Sequence, residues 1–160
     1  MNFVGLDLSF RGTGLSVLSE SSDILSQKLI SSSPKECIEQ RIISISNEIF
    51  NEIRKLGLFI VCIEGLSFSS SGQATLDLAG LHFYIRLLMY QNYPSEKFYV
   101  IPPTTLKKYV TGTGRCQKNL MLLKTYKKFG VEFTDDNLCD SYCLAQYAKN
   151  NYGDKACLMV

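Results

Sequence analysis

Phe3-Val4-Gly5-Leu6-Asp7-Leu8, the turn residues Arg11-Gly12-Thr13, and Gly14-Leu15-Ser16-Val17-Leu18 decide how this chain folds. The first segment is a near-continuous apolar run carrying one carboxylate. The second resumes after residues that favour a chain reversal, so the two read as a hairpin entering a sheet. An ionised carboxylate inside a buried strand is costly unless it is hydrogen-bonded, paired with a cation or bound to a metal. Asp7 therefore needs a partner from elsewhere in the chain.

Reading outward, Ile24–Ile30 is a third strand that completes an antiparallel meander, and Ser31-Ser32-Ser33-Pro34 breaks it and starts a helix. From there Ile38, Ile42, Ile45, Ile49 and Ile53 recur at steps of four, three, four and four, drawing one apolar stripe along a helix that ends near Gly57. Residues 58–63 are apolar on both faces, as an interior parallel strand should be, and the run ends in Glu64. A helix is predicted over residues 73–90 and a last strand over 98–101, stopped by Pro102 and Pro103. Short helices follow over 104–110, 118–129 and 136–149. This order predicts an α/β fold with a mixed five-stranded sheet flanked by helices. With 46% hydrophobic residues and no dividing linker or repeat, residues 1–160 are expected to form one domain.

Composition narrows the function. No apolar run approaches the roughly 18 residues needed to span a bilayer, and the N-terminus shows no basic leader, which predicts a cytoplasmic protein without a membrane partner. The six cysteines, Cys37, Cys62, Cys116, Cys139, Cys143 and Cys157, show no CxxC pairing and sit in core-like segments, so buried free thiols are expected. Cys139 and Cys143 lie a helical turn apart, but with His82 the single histidine the ligand count argues against zinc. The net charge of +2 hides an asymmetry. Between Glu96 and Glu132 there is no acid, while Lys97, Lys107, Lys108, Arg115, Lys118, Lys124, Lys127 and Lys128 all fall there. Ordinary surfaces mix the two signs, so this stretch favours a polyanion-binding face.

Glu64 repeats the oddity of Asp7 at the C-terminal end of a second buried strand, where ligand sites in sheet proteins gather. A third element, Thr134-Asp135-Asp136-Asn137-Leu138-Cys139-Asp140, leads into a helix that places Asp136 and Asp140 on one face, with Asn137 close by. Taken singly these acids have plain readings: Asp135 or Asp136 as a helix cap, Asp140 as a surface residue, Glu64 as a strand-end acid. Taken together they supply the hard oxygen ligands that two-Mg²⁺ phosphodiester hydrolysis requires, with metals roughly 3.5 to 4 Å apart.

Gly5-Leu6-Asp7-Leu8-Ser9, Ile63-Glu64-Gly65, Thr111-Gly112-Thr113-Gly114-Arg115-Cys116-Gln117-Lys118 and Asp136-Asn137-Leu138-Cys139-Asp140-Ser141, in that order, resemble the motifs of RuvC-type Holliday junction resolvases across almost the whole chain. Gly72-Gln73-Ala74 and Tyr126-Lys127-Lys128-Phe129-Gly130-Val131 resemble the short phage-type members, which implies a bacterial or viral setting. The resemblance implies an RNase H-like fold, a homodimer, Mg²⁺ with Mn²⁺ able to substitute, and paired cuts that resolve four-way DNA junctions and leave 5′ phosphates. It makes Asp7, Glu64 and Asp140 metal ligands. The family's Asp or His three residues before the last Asp is Asn137 here, so either Asp136 or Asn137 completes the set. Lys118 matches the lysine after the TGxG segment and would stabilise charge on the phosphate. Phe68 would stack on junction bases, and Lys107, Lys108 and Arg115 would join Lys118 in holding DNA.

Two other classes compete. A non-catalytic branched-DNA-binding module would keep the basic face and lack metal affinity. An actin-like ATPase or kinase lobe would share the hairpin with its early Asp, but it needs a second lobe and a second phosphate loop that the sequence does not show.

Overall fold

The computed structural model of the protein describes residues 1–66 and 72–156, the last three by backbone alone. Three strands come first: β1 (Asn2–Asp7), β2 (Thr13–Leu18) and β3 (Ile24–Ile30). Then follow α1 (Ile38–Ile53), β4 (Phe59–Glu64), α2 (Gln73–Asn92), β5 (Lys97–Ile101), α3 (Pro103–Thr111), α4 (Lys118–Phe129) and α5 (Asp136–Ala156). The five strands lie in the order β3-β2-β1-β4-β5. The β1–β2 and β2–β3 pairs are antiparallel, β1–β4 and β4–β5 parallel. The sheet is thus mixed, as the sequence predicts.

Strand side chains alternate between faces, and here the two faces face different helices. Val4, Leu6, Leu15, Val17, Val61 and Ile63 point into a core closed by Ile45, Ile49 and Ile53 of α1 and Leu81 and Ile85 of α2. Phe3, Leu18, Ile60 and Cys62 point the other way, into a second core with Leu106, Met121, Tyr142 and Leu144 of α3, α4 and α5. By the same alternation Asp7 follows Phe3 and Gly5, and Glu64 follows Ile60 and Cys62, onto the α5 face. Leu6 pairs with Ile63 in register, so Asp7 and Glu64 stand side by side one residue further on.

Helix α5 lies almost directly on the sheet because two glycines let it. A Cβ on Gly5 would fall 1.8 Å from the Ser141 carbonyl oxygen, and one on Gly14 would fall 2.0 Å from that of Asn137. The same contact is stitched by a buried polar chain in which Gln27 Nε2 donates to Ser16 Oγ at 3.0 Å and Ser16 Oγ meets Ser141 Oγ at 2.8 Å.

Several boundaries differ from the sequence reading. Helix α1 starts at Ile38 with Cys37 at its N-cap rather than at Pro34. Strand β4 starts at Phe59, where its pairing with Asn2 of β1 begins, and Leu58 before it is 65% exposed. Helix α5 is not short: it runs to Ala156, carried past its polar Lys149-Asn150-Asn151 segment by tertiary packing of Tyr152, whose ring stacks on Tyr99 at 3.6 Å. Cys62, Cys139 and Cys143 are buried free thiols as expected, but Cys37 is exposed in the connection before α1, and Cys116, in the α3–α4 connection, is only partly covered where it packs against the second core. Cys157 lies outside the described residues. No helix among the described residues is long and apolar enough to cross a membrane.

Candidate metal centre

Asp7 ends β1, Glu64 ends β4 and Asp140 lies in the second turn of α5. One carboxylate oxygen from each falls within 4.8 Å of the others. Among the described residues no other three His, Cys, Asp or Glu side chains converge in this way, Cys139 and Cys143 included. The trio opens onto a cleft of about 480 Å³ between the sheet ends, α2, α3, α4 and α5.

The three acids share one electrostatic problem. Burial pushes Glu64 up to about 8, and the charges of Asp7 and Asp140 and a hydrogen bond with Asp7 push the same way. Burial likewise raises Asp140 to about 7, helped by Asp7 and Asp136. Burial raises Asp7 to about 6, while its hydrogen bond with Glu64 and the charge of Lys118 hold it down. Three half-buried carboxylates this close are stable only when protons or a cation neutralise them. Hard oxygen donors with open cleft beside them fit Mg²⁺, Mn²⁺ or Ca²⁺.

Lysines line the same cleft. Lys118, first residue of α4, has its Nζ 2.7 Å from Asp136 Oδ2, and this pair raises the lysine's pKa. Lys107 of α3 lines the cleft and acts on Glu64 and Asp140, lowering both. Lys108 and Arg115 are exposed on α3 and on the α3–α4 connection, outside the cleft wall. Phe68 lies outside the described residues.

The residues before Asp140 divide their roles. Asp135 caps α5, its Oδ1 accepting from the Leu138 backbone N–H at 3.0 Å. Asp136 lines the cleft but is committed to Lys118 and is not in the converging trio. Asn137 turns to the hairpin, its carbonyl over Gly14 and its amide near Gly12, and is not in the cleft wall.

His82 is a cleft residue that sequence reasoning treated only as a zinc count. It is buried on α2, and burial, then Arg86, push its pKa down to about 4, so it is neutral at physiological pH. A lone histidine in a helix that is apolar nearly all round gives no periodic signal of which way it faces.

No protein-family model matches the chain, and no curated protein matches it. Solved structures do. Thermus thermophilus RuvC superposes with a TM-score of 0.78 at 17% identity, over 98% of this chain and 97% of that one. T. thermophilus RuvC in complex with Holliday junction substrate gives 0.77 at 16%, over 94% and 96%. The fowlpox virus Holliday junction resolvase gives 0.60 at 12%, over 94% and 99%. Over its described residues the chain has the RNase H-like fold of these RuvC-type proteins.

Proposed function

We propose that the protein is a metal-dependent endodeoxyribonuclease that resolves four-way DNA junctions, leaving 5′ phosphates. The observation that carries this reading is the convergence of Asp7, Glu64 and Asp140 from two strand ends and a helix in a cleft that two lysines also face. Asp7, Glu64 and Asp140 would hold Mg²⁺, or Mn²⁺ in its place. When bound, the metal supplies an activated water and charge stabilisation at the leaving oxygen. The chain's own residues do the rest. Lys118 and Lys107 bring positive charge to the phosphate, and Lys118 stands at the positive N-terminal end of α4. Asp136 holds Lys118 at the rim, and whether it also reaches a second metal is a question for metal titration of Asp136→Asn. Lys108 and Arg115, exposed beside the cleft, extend the cationic surface for the DNA arms, and Phe68, in the segment after β4, would stack on bases at the branch.

Paired cuts require two copies. Helix α2 presents Leu76, Leu87 and Tyr90 at steps of eleven and three, with exposures of 66%, 41% and 72%. That spacing keeps them on one helical face. An exposed apolar seam of this kind fits a second copy of the chain, so a homodimer belongs to the same reading.

The test is a junction assay in two metals. With Ca²⁺ the protein is expected to bind four-way junctions without cutting them, and replacing Ca²⁺ by Mg²⁺ is expected to start symmetric cutting. Branch-selective binding with no cutting in Mg²⁺ or Mn²⁺ would make the protein a binding module instead.

A further inference from the structure

We propose that a groove beside the carboxylate cleft holds an unstacked nucleobase next to the phosphate being cut. The proposal deepens the junction-cutting reading and rests on it. A concavity of about 520 Å³ lies between α2 and the end of β5. Gly65, Leu66, His82 and Pro103 line both it and the cleft, so the groove adjoins the carboxylate site across these four residues. Gly65 directly follows Glu64 and carries no side chain to close the passage. A Cβ there would already crowd Val100 Cγ1 at 3.3 Å. A base attached through its sugar to a phosphate at the carboxylates would be aimed past Gly65 toward the groove.

The groove's chemistry is that of a base pocket. Ala79, Phe83, Val100 and Pro102 make most of its remaining wall apolar, and Phe83 and Val100 are 66% and 41% exposed, faces that a flat ring would cover. Two polar groups complete it. A neutral imidazole offers one donor and one acceptor, and His82 has no hydrogen-bond partner among the described residues. His82 is buried, and it stands in the wall shared by the groove and the cleft. Arg86 has no carboxylate within ion-pair distance among the described residues, and its guanidinium lies 5.8 Å from the Phe98 ring centroid. A fork of N–H donors beside a stacking surface suits the acceptor edge of a base, and the described wall contains no acid to repel nucleic acid.

The test uses the full-length protein and four-way junctions whose cleavage phosphate has been mapped. With 2-aminopurine beside that phosphate and Ca²⁺ present, the wild type is expected to change the probe's fluorescence on binding, and Ala79→Leu, which narrows the groove, to lose most of that change. With Mg²⁺, an abasic nucleotide at the same place is expected to slow wild-type cutting about tenfold, the effect of one lost stacking contact, and to add little to the already slowed Ala79→Leu. Equal cutting of abasic and intact junctions, or an unchanged probe signal in Ala79→Leu, would overturn the groove and leave the nuclease reading intact. Conversion of Ala79→Leu to a monomer by sedimentation would overturn it in favour of a subunit contact. A wild type that neither selects nor cuts branched DNA would defeat the nuclease reading itself.

Discussion

At the scale of single residues, the site is defined by charges placed where burial resists them. Asp7→Asn, Glu64→Gln and Asp140→Asn are each expected to lower junction cutting by at least about a thousandfold, since each removes a charged oxygen from the trio proposed to hold the metal. Near-full activity in any one would refute its role. The same burial sets the pH dependence of the metal-free protein. Folding holds Asp7, Asp140 and Glu64 at about 6, 7 and 8, against ordinary values of 3.8, 3.8 and 4.5. Their protonated forms therefore favour the folded state below those ordinary values, and that stability is lost as pH rises through 6 to 8. His82 acts oppositely, raising stability between about 4 and its ordinary 6.5, and is silent above. Between pH 6.5 and 8 urea melts are thus expected to show falling stability without metal, a shallower fall in Asp140→Asn, and recovery with Mg²⁺. Asp7 and Glu64 were legible in the sequence because a carboxylate in an apolar strand has few innocent explanations, whereas Asp140, on a helix, was legible only through its spacing to Asp136 and the motif it resembles. The choice between Asp136 and Asn137 was not, because it depends on what each side chain meets. Helical spacing correctly puts Asp136 on the face of Asp140, but Lys118 claims its carboxylate, and the contacts over Gly12 and Gly14 turn Asn137 away.

At the scale of elements, placing α5 is what completes the site. Gly14→Ala is expected to cost about 2–3 kcal/mol in urea unfolding, because its methyl would overlap the Asn137 carbonyl and must lift the first turn of α5. Cutting should fall further than stability does, since Asp140 moves with that turn. Ser16→Ala leaves Ser141 and Gln27 without their shared partner inside the sheet–helix contact and is expected to cost about 1–3 kcal/mol. A melt within a few tenths of wild type would show that the chain does not hold α5. The strands and the isoleucine stripe of α1 were legible because their periods report burial directly. The length of α5 was not: its last turns are polar in sequence and helical because of Tyr99 and Phe3, which approach only in the folded molecule. Helix α2 carries little periodic signal, since its apolar residues face both the core and the outside.

At the scale of the whole molecule, the fold class followed from the order of elements, whereas the strand order β3-β2-β1-β4-β5 needed the parallel crossovers to be seen. Assembly is the remaining test at this scale. Leu87→Glu places a charge in the α2 seam and is expected to shift sedimentation from dimer to monomer and to replace paired cuts by single nicks. A dimer that survives the change would locate the interface elsewhere. The order in which the chain supplies the three acids proposed to hold metal has its own consequence. Asp7 and Glu64 belong to the sheet, but Asp140 arrives on the last described helix, the same one that covers the sheet's second apolar face. A nascent chain on the ribosome, or a product truncated before Asp136, carries two of the three converging acids and an uncovered sheet. Such a fragment is expected to show no Mn²⁺ binding by calorimetry, so a half-made copy would be a target for quality control before it could nick DNA.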